Sequence, residues 1–266
     1  MDVEINGARH RILDEGPRHA VPVVLIHGFP FDHSMWEPQI AALRQESRVV
    51  AYDVRGLGKS AAGGGEPTME LLVDDLVGIL DHLGLKAAVL CGLSMGGYIA
   101  LRAVQREPAR VRALVLADTR SEADTEQAKK NRIASIRGIE KDGLKPFTDD
   151  FMKKVFAPRT LAENRSCVTS IRDTILHSDP QGICAAVSAI MSRTDTTPAL
   201  AKIQVPTLVV GGEYDALTPP SSCQALASAI PGAKFAQIPH AGHLSSLENP
   251  PVFNRHLREF LRGLPR

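Results

Sequence analysis

The chain has 266 residues, 44% of them hydrophobic, which is enough for one large domain, or one domain with an insertion, around a well-buried core. Such a composition excludes a largely disordered protein. Lysine and arginine number 31 against 30 acidic residues, and the net charge of +1 gives no field to attract nucleic acid or an anionic membrane, so we expect a small-molecule partner.

The chain begins with MDVE, without the basic start and long apolar stretch of a signal peptide. The early apolar run at residues 21–26 is too short to cross a bilayer, so we expect a cytoplasmic protein with no membrane partner. The sequence does not indicate an oligomeric state. The four cysteines show no metal-ligand spacing and are expected to be reduced thiols: Cys91, Cys167, Cys184 and Cys223.

Short apolar runs rich in β-branched residues alternate with longer segments of helical spacing. Residues 3–13 contain an Asn6-Gly7 pair between two β-like runs, which is typical of a tight hairpin. Later runs predict strands at residues 21–26, 48–52, 87–91, 111–117, 206–210 and 234–238. Helices are predicted at residues 68–83, 95–106, 220–230 and 250–261. The alternation predicts an α/β fold of three layers, with a mostly parallel sheet between helices.

The alternation stops after residue 117, and residues 120–200 have helical spacing throughout, without a buried strand. We predict a helical cap insertion at 120–200 within a core domain formed by 1–119 and 201–266. Three apolar residues of the insertion are candidates for lining a substrate pocket: Phe147, Phe151 and Met152. The alternative is that they form the insertion's own core, which is the commoner role at helical spacing.

The sequence GLSMG at residues 92–96 lies between a predicted strand and a predicted helix. The G-x-S-x-G spacing fits a strand-to-helix turn so sharp that side chains at the glycine positions would collide. Such a turn lifts the Ser94 hydroxyl clear of the sheet, and we predict that Ser94 is a nucleophile. The alternative, a serine N-cap in a glycine-rich turn, fits the flanking strand and helix less well.

A serine hydroxyl is a weak nucleophile at neutral pH and needs a base within hydrogen-bond reach. His243 follows the last predicted strand, in the sequence HAGHL at 240–244, and is the predicted base. His240 is the competing residue, but it is closer to the strand end, and we expect it to be structural or to lie at the pocket rim. The H-x-x-H pair has no third ligand at a suitable spacing, so we predict no metal site.

The base needs a carboxylate that fixes its tautomer. Asp215 follows the predicted strand 206–210, and with this kind of turn the order along the chain is serine, acid, histidine, so Asp215 is the predicted acid. Glu213 and Asp118 remain as alternatives, since Asp118 ends the predicted strand 111–117. We interpret both as solvated loop carboxylates outside the reach of the imidazole.

Two main-chain N–H groups are candidates for stabilising an oxyanion. Met95 begins the helix after Ser94, so its N–H points toward an oxyanion formed on the serine's target. The sequence HGFP at 27–30 ends an early strand, where Gly28 permits a tight turn. The N–H of Phe29 is the predicted second donor.

Four segments together resemble the α/β-hydrolase fold superfamily along nearly the whole chain. They are HGFP at 27–30, DVRGLGKS at 53–60, GLSMGG at 92–97, and the pair Asp215 and His243. The resemblance implies an α/β-hydrolase fold in which Asp53 and Arg55 stabilise a loop beneath the active site. The serine at the turn is unlike haloalkane dehalogenases and epoxide hydrolases, which have aspartate there.

The sequences GLSMGGYIAL and HAGHLSSLENP look most like the carboxylesterase and enol-lactonase-like branch of that superfamily, and HGFPFDHSMWEPQ is also similar to cofactor-free haloperoxidases. We expect a serine hydrolase that cleaves carboxylic esters through an acyl-serine, with no cofactor. An enol-lactonase or a peroxide-using haloperoxidase with the same residues is the alternative. A ligand receptor that retains the three residues is a lesser alternative of another class.

Overall fold

A computed structural model describes residues 1–65 and 67–265 of the chain. Those residues form eight strands and eleven α-helices. The strands are β1 (Asp2–Ile5), β2 (Ala8–Glu15), β3 (Pro22–Ile26), β4 (Arg48–Tyr52), β5 (Ala88–Leu93), β6 (Val111–Ala117), β7 (Thr207–Gly212) and β8 (Lys234–Ile238). The helices are α1 (Glu37–Leu43), α2 (Met69–His82), α3 (Met95–Arg106), α4 (Glu126–Asp142), α5 (Leu144–Val155), α6 (Pro158–Glu163), α7 (Arg165–Leu176), α8 (Pro180–Met191), α9 (Pro220–Ala229), α10 (Ser245–Glu248) and α11 (Pro250–Arg262).

All eight strands form one sheet in the order β1-β2-β4-β3-β5-β6-β7-β8. The neighbouring strands from β4 to β8 are parallel, whereas β2 is antiparallel to both β1 and β4. Asn6 and Gly7 form the hairpin turn with φ values of 49° and 72°, the left-handed conformation that this pair favours. The predicted α/β fold with a mostly parallel sheet is confirmed.

The central strands are apolar because helices cover the sheet. In the five strands β3, β4, β5, β6 and β7, almost every residue is buried. Helix α1 packs against α11, and α2 packs against α3, which in turn contacts β5. A parallel sheet needs such cover on both faces, since its strands have no polar side to present to water.

Two strands continue past their predicted ends because their glycines still pair with a neighbour. In β5, Gly92 pairs with Leu116 of β6, and the strand continues to the residue before Ser94. In β7, Gly212 pairs with Ile238 of β8. Apolar, β-branched character identified the strand centres, but a glycine carries no such signal.

The parallel strands bring distant loops to one edge of the sheet. The carboxyl ends of parallel strands meet at the same edge, which is where α/β proteins place their sites. The segments that follow these strand ends carry four of the predicted site residues: Phe29 after β3, Ser94 after β5, Asp215 after β7 and His243 after β8. Asp118, the alternative acid, follows β6.

Helices α4 to α8 lie between β6 and β7, within the range 120–200 for which the spacing predicts helices. Helix α4 packs against α5 and α8, and α5 packs against α7. These helices therefore contact one another as well as the rest of the chain. None of the described helices combines the length and the apolar character needed to cross a membrane.

Candidate active site

The turn between β5 and α3 holds Ser94 in a strained conformation. Its φ of 53° and ψ of −110° lie outside the regions that residues with a side chain normally adopt. A Cβ on Gly92 would collide with the carbonyl of Gly96, and a Cβ on Gly96 with the carbonyl of Ile26. The two glycines are therefore required by the close approach of the turn to the neighbouring backbone.

The structure brings together Ser94, His243 and Asp215, as the sequence predicts. The Nδ1 of His243 is 2.8 Å from Oδ2 of Asp215, and its Nε2 is 2.9 Å from Oγ of Ser94. An ionised carboxylate can only accept, so Nδ1 carries a proton and donates a hydrogen bond to Asp215. Nε2 then accepts the hydrogen bond from the Ser94 hydroxyl, which is the arrangement needed for it to take the serine proton.

Thr218 was not predicted from the sequence, and it completes the surroundings of Asp215. Its hydroxyl donates to Oδ2 of Asp215, and its oxygen is 3.2 Å from Nδ1 of His243. The other carboxylate oxygen accepts the N–H groups of Leu217 and Thr218 at 2.8 and 2.9 Å. A side chain that accepts from the residues two and three positions later is an Asx-type turn, so D-x-x-T was the available signal.

Asp215 and His243 shift each other's pKa in opposite directions. Burial alone raises the pKa of Asp215, but the charge and hydrogen bond of His243 bring it below the ordinary value. Burial lowers the pKa of His243, but the charge and hydrogen bond of Asp215 outweigh it and raise the pKa above 6.5. Both shifts favour an ionised Asp215 beside an imidazole that is a stronger base than free histidine.

Asp118 is not a solvated loop carboxylate, which corrects the interpretation made from the sequence. Its side chain is fully buried, with Oδ1 accepting the N–H of Gly212 at 2.8 Å and Oδ2 accepting the hydroxyl of Ser245 at 2.5 Å. Burial and the nearby charge of Asp215 raise its pKa well above the ordinary value. Asp118 thus lies near the imidazole of His243, but its hydrogen bonds go to other groups.

Glu213 and His240 contact each other instead of the imidazole of His243. Glu213 accepts the main-chain N–H of His240 at 2.8 Å. The side chain of His240 is 57% exposed, and neither residue lines the cavity beside Ser94. Of the carboxylates considered from the sequence, Asp215 is the one bonded to the ring of His243.

The main-chain N–H groups of Phe29 and Met95 have no acceptor among the described residues. Both residues follow strands that end at the same edge of the sheet, and Met95 directly follows Ser94. A Cβ on Gly28 would lie 2.8 Å from the end of the Leu93 side chain and 3.3 Å from the Leu93 carbonyl, so this turn passes close to β5. The two N–H groups are therefore available to an oxyanion.

A cavity of about 490 Å³ opens beside Ser94 and His243. Phe147 and Phe151 of α5 line it together with Phe29, whose ring centroid is 6.1 Å from each of theirs. Met152 does not line it, although the sequence made it a pocket candidate. Positions 147 and 151 are four residues apart and share one face of α5. Met152 is the next residue along the helix, so its side chain lies on a different face, in the core, where it is only 5% exposed.

Glu248 joins the loop of His243 to the segment between α5 and α6. One of its carboxylate oxygens accepts the N–H of Ala157 at 2.8 Å and the hydroxyl of Thr160 at 2.6 Å. The other accepts the N–H of Gly242 at 2.8 Å and that of Leu244 at 3.3 Å. Nothing in the local sequence marked Glu248, because two of its partners are about ninety positions away along the chain.

The loop after β4 is held by Asp53 and Arg55. Asp53 accepts the main-chain N–H groups of His33 and Lys59 at 2.8 and 2.7 Å. The guanidinium of Arg55 donates to the buried carboxylate of Asp75 at 2.5 Å. Both contacts are of the structural kind that the family resemblance implies.

Asp32, His33 and Asp53 are the one group of potential metal ligands that the described residues bring within 4.8 Å of one another. His33 Nδ1 is 2.5 Å from Asp53 Oδ1, and Asp32 caps a short helix through the N–H of Ser34. His33 and Asp53 are thus bonded to each other and Asp32 is bonded to Ser34, and we assign no metal to this group.

Comparison with known proteins shows the family of the chain. A model of the Alpha/beta hydrolase family matches residues 23–256. The chain is 30% identical to 3-oxoadipate enol-lactonase 1 of Acinetobacter baylyi over 249 residues, which are 94% of this chain and 91% of that protein.

Two solved structures are similar over almost their full length. A thermophilic esterase from Thermogutta terrifontis has a TM-score of 0.96 and 35% identity, with 99% of both chains covered. The enol-lactonase from Burkholderia xenovorans LB400 has a TM-score of 0.92 and 31% identity, with 98% of this chain and 100% of that chain covered.

The contacts of Glu248 predict that Glu248→Gln destabilises the protein. An amide replaces one carboxylate oxygen by an NH₂ group, which cannot accept from the donors on that side. We expect the free energy of unfolding in urea to fall by about 1–3 kcal/mol, the cost of leaving buried donors without an acceptor.

The matched control is Glu213→Gln, because Glu213 is 33% exposed and its one hydrogen bond from the main chain comes from His240. We expect it to change the free energy of unfolding by less than about 0.5 kcal/mol. Equal losses in the two variants would show that Glu248 does not hold the two segments together.

Proposed function

The chain belongs to the α/β-hydrolase family, and from that premise we propose that it is a carboxylic-ester hydrolase acting through an acyl-serine intermediate. One observation carries the proposal. The hydroxyl of Ser94 donates to an imidazole whose other nitrogen donates to the buried Asp215, and this hydroxyl faces a cavity of about 490 Å³. A serine activated by a base and an orienting carboxylate is the requirement for acyl transfer.

In the proposed reaction, His243 takes the proton of Ser94 as the oxygen attacks the ester carbon. The N–H groups of Phe29 and Met95 stabilise the oxyanion, and Asp215 stabilises the imidazolium. His243 then gives its proton to the leaving alcohol, which leaves an acyl-serine. Water activated by His243 releases the acid and restores the serine, and neither step calls for a redox cofactor or a metal.

We also propose that residues 120–200 form a cap over a core made of 1–119 and 201–266. The support is that side chains of α4 and α5 line the cavity beside Ser94, including Phe147 and Phe151. Their rings narrow the space next to Phe29. The cap would thereby select substrates by the size of the acyl group.

Lactone opening is the second candidate function. Two of the similar proteins are named enol-lactonases, and a lactone is a cyclic ester that the same residues would open. The candidate functions are distinguished by kcat/KM values measured on short acyl esters, long acyl esters and lactones. Halogenation in the presence of peroxide is measured alongside them. Multiple turnover on simple aryl esters would count against a receptor that merely retains the three residues.

Ser94→Ala tests the nucleophile. Alanine accepts the same backbone turn as serine, so the circular dichroism spectrum should be unchanged, while kcat for ester hydrolysis should fall by at least about 10⁴-fold. A serine-directed organophosphonate should label the parent protein at Ser94 and leave the variant unlabelled. Labelling of a different serine in the parent would overturn the assignment.

Asp215→Asn and Asp118→Asn identify the acid. An amide at 215 can donate to Nδ1 of His243 and so favours the wrong tautomer, and kcat should fall by up to about 10⁴-fold, as in serine proteases. At position 118 an amide can still accept from Gly212, and its NH₂ group can donate to Ser245. We therefore expect a loss of less than about 10-fold there, and a larger loss in Asp118→Asn than in Asp215→Asn would contradict the proposal.

The pH dependence of kcat/KM reports the protonation of His243 in the free enzyme. Protonated His243 cannot accept the serine proton, so activity should be lost as the pH falls through its pKa. Because that pKa is raised, the midpoint of the acid limb should lie above 6.5. A midpoint clearly below 6.5 in the parent protein would be inconsistent with the charge of Asp215 acting on the ring.

A further inference from the structure

The inner wall of the cavity has an excess of positive charge. Three arginines line it, Arg120, Arg132 and Arg193, and the acidic side chain among them is Asp124. The other charged lining residues are Lys154, Asp142 and Asp150, which are exposed at the rim. Charges at the rim are screened by water and salt, whereas those on the inner wall act in a lower dielectric.

Asp124 is already shared by two of the arginines. Nε of Arg132 is 2.5 Å from one oxygen of Asp124, and Nη1 of Arg193 is 2.8 Å from the other. The guanidinium of Arg193 also lies 4.5 Å from the centre of the Tyr98 ring and donates to main-chain carbonyls. These two arginines are fixed by protein groups.

Arg120 differs, because no carboxylate among the described residues forms an ion pair with it. Its Nη2 donates to the carbonyl of Leu217, and its Nε is buried without any acceptor. An arginine cannot shed its charge, so a partly buried guanidinium with a single neutral acceptor is costly to the folded protein. The residue lines the cavity together with Ser94 and His243.

We propose that Arg120 binds a carboxylate of the substrate, so that the preferred substrates are esters or lactones that also carry a free carboxylate. A guanidinium on the inner wall and a carboxylate form charge-assisted hydrogen bonds, which are stronger than neutral ones. The net charge of the wall favours an anion over a neutral or cationic group of the same size. This inference rests on the proposed ester hydrolysis and specifies its substrate class.

The carboxylate can be on the acyl part or on the alcohol part of the ester, and two substrate pairs distinguish these. The first pair, monomethyl glutarate and methyl pentanoate, tests a carboxylate on the acyl part. The second pair, 4-acetoxybenzoate and 4-methylphenyl acetate, tests a carboxylate on the alcohol part. In each pair a methyl group replaces the carboxylate, and the ratio of the two kcat/KM values is the quantity measured.

The variants are Arg120→Met and the control Arg137→Met, which removes the same charge from an exposed position of α4 outside the cavity. We expect the charged-to-neutral ratio of at least one pair to fall about 10- to 100-fold in Arg120→Met, the value of a hydrogen bond to a charged group. The control should keep the parent's ratio. Arg120→Lys, which retains the charge, should restore part of it.

A purely structural role of Arg120, through the loop of Leu217, would lower all four kcat/KM values together and leave both ratios unchanged. Unchanged ratios in Arg120→Met therefore overturn the inference, although ester hydrolysis itself would stand. Failure of the parent to hydrolyse any of the four esters, with no phosphonate label at Ser94, would instead overturn the proposed function.

Discussion

The imidazole of His243 is the group on which the rest of the site depends. It is 3% exposed, and a buried ring needs a hydrogen-bond partner for each nitrogen. Asp215 supplies one from 28 positions away and Ser94 supplies the other from 149 positions away. The parallel order of β5 to β8 meets both needs in this chain, because it brings the ends of three strands to one edge of the sheet.

The same loop ties the chemistry to the helices over the cavity. The main-chain N–H of His243 donates to the carbonyl of Val155 at the end of α5. Glu248 accepts hydrogen bonds from both segments that meet there, the one after α5 and the loop of His243. The helix that positions Phe147 and Phe151 is therefore anchored beside the base. Changes in α5 should alter both substrate selection and the orientation of His243, because one set of hydrogen bonds serves both.

The sequence was sufficient for the parts of the site that local geometry dictates. The glycines around Ser94 and the strand ends before Asp215 and His243 carry their signal within a few residues. Burial by distant partners carries no such signal. Asp118 is buried because it holds Gly212 and Ser245, 94 and 127 positions away, and Met152 is core because of the way α5 packs.

The acyl-serine is the central claim, and acid quenching during the first turnover of 4-nitrophenyl acetate tests it most directly. Peptide mass spectrometry should find one acetyl group on the peptide that contains Ser94, and this group should disappear once the substrate is consumed. An acetyl group on another residue, or hydrolysis through a first turnover without any acetylated peptide, would contradict the account.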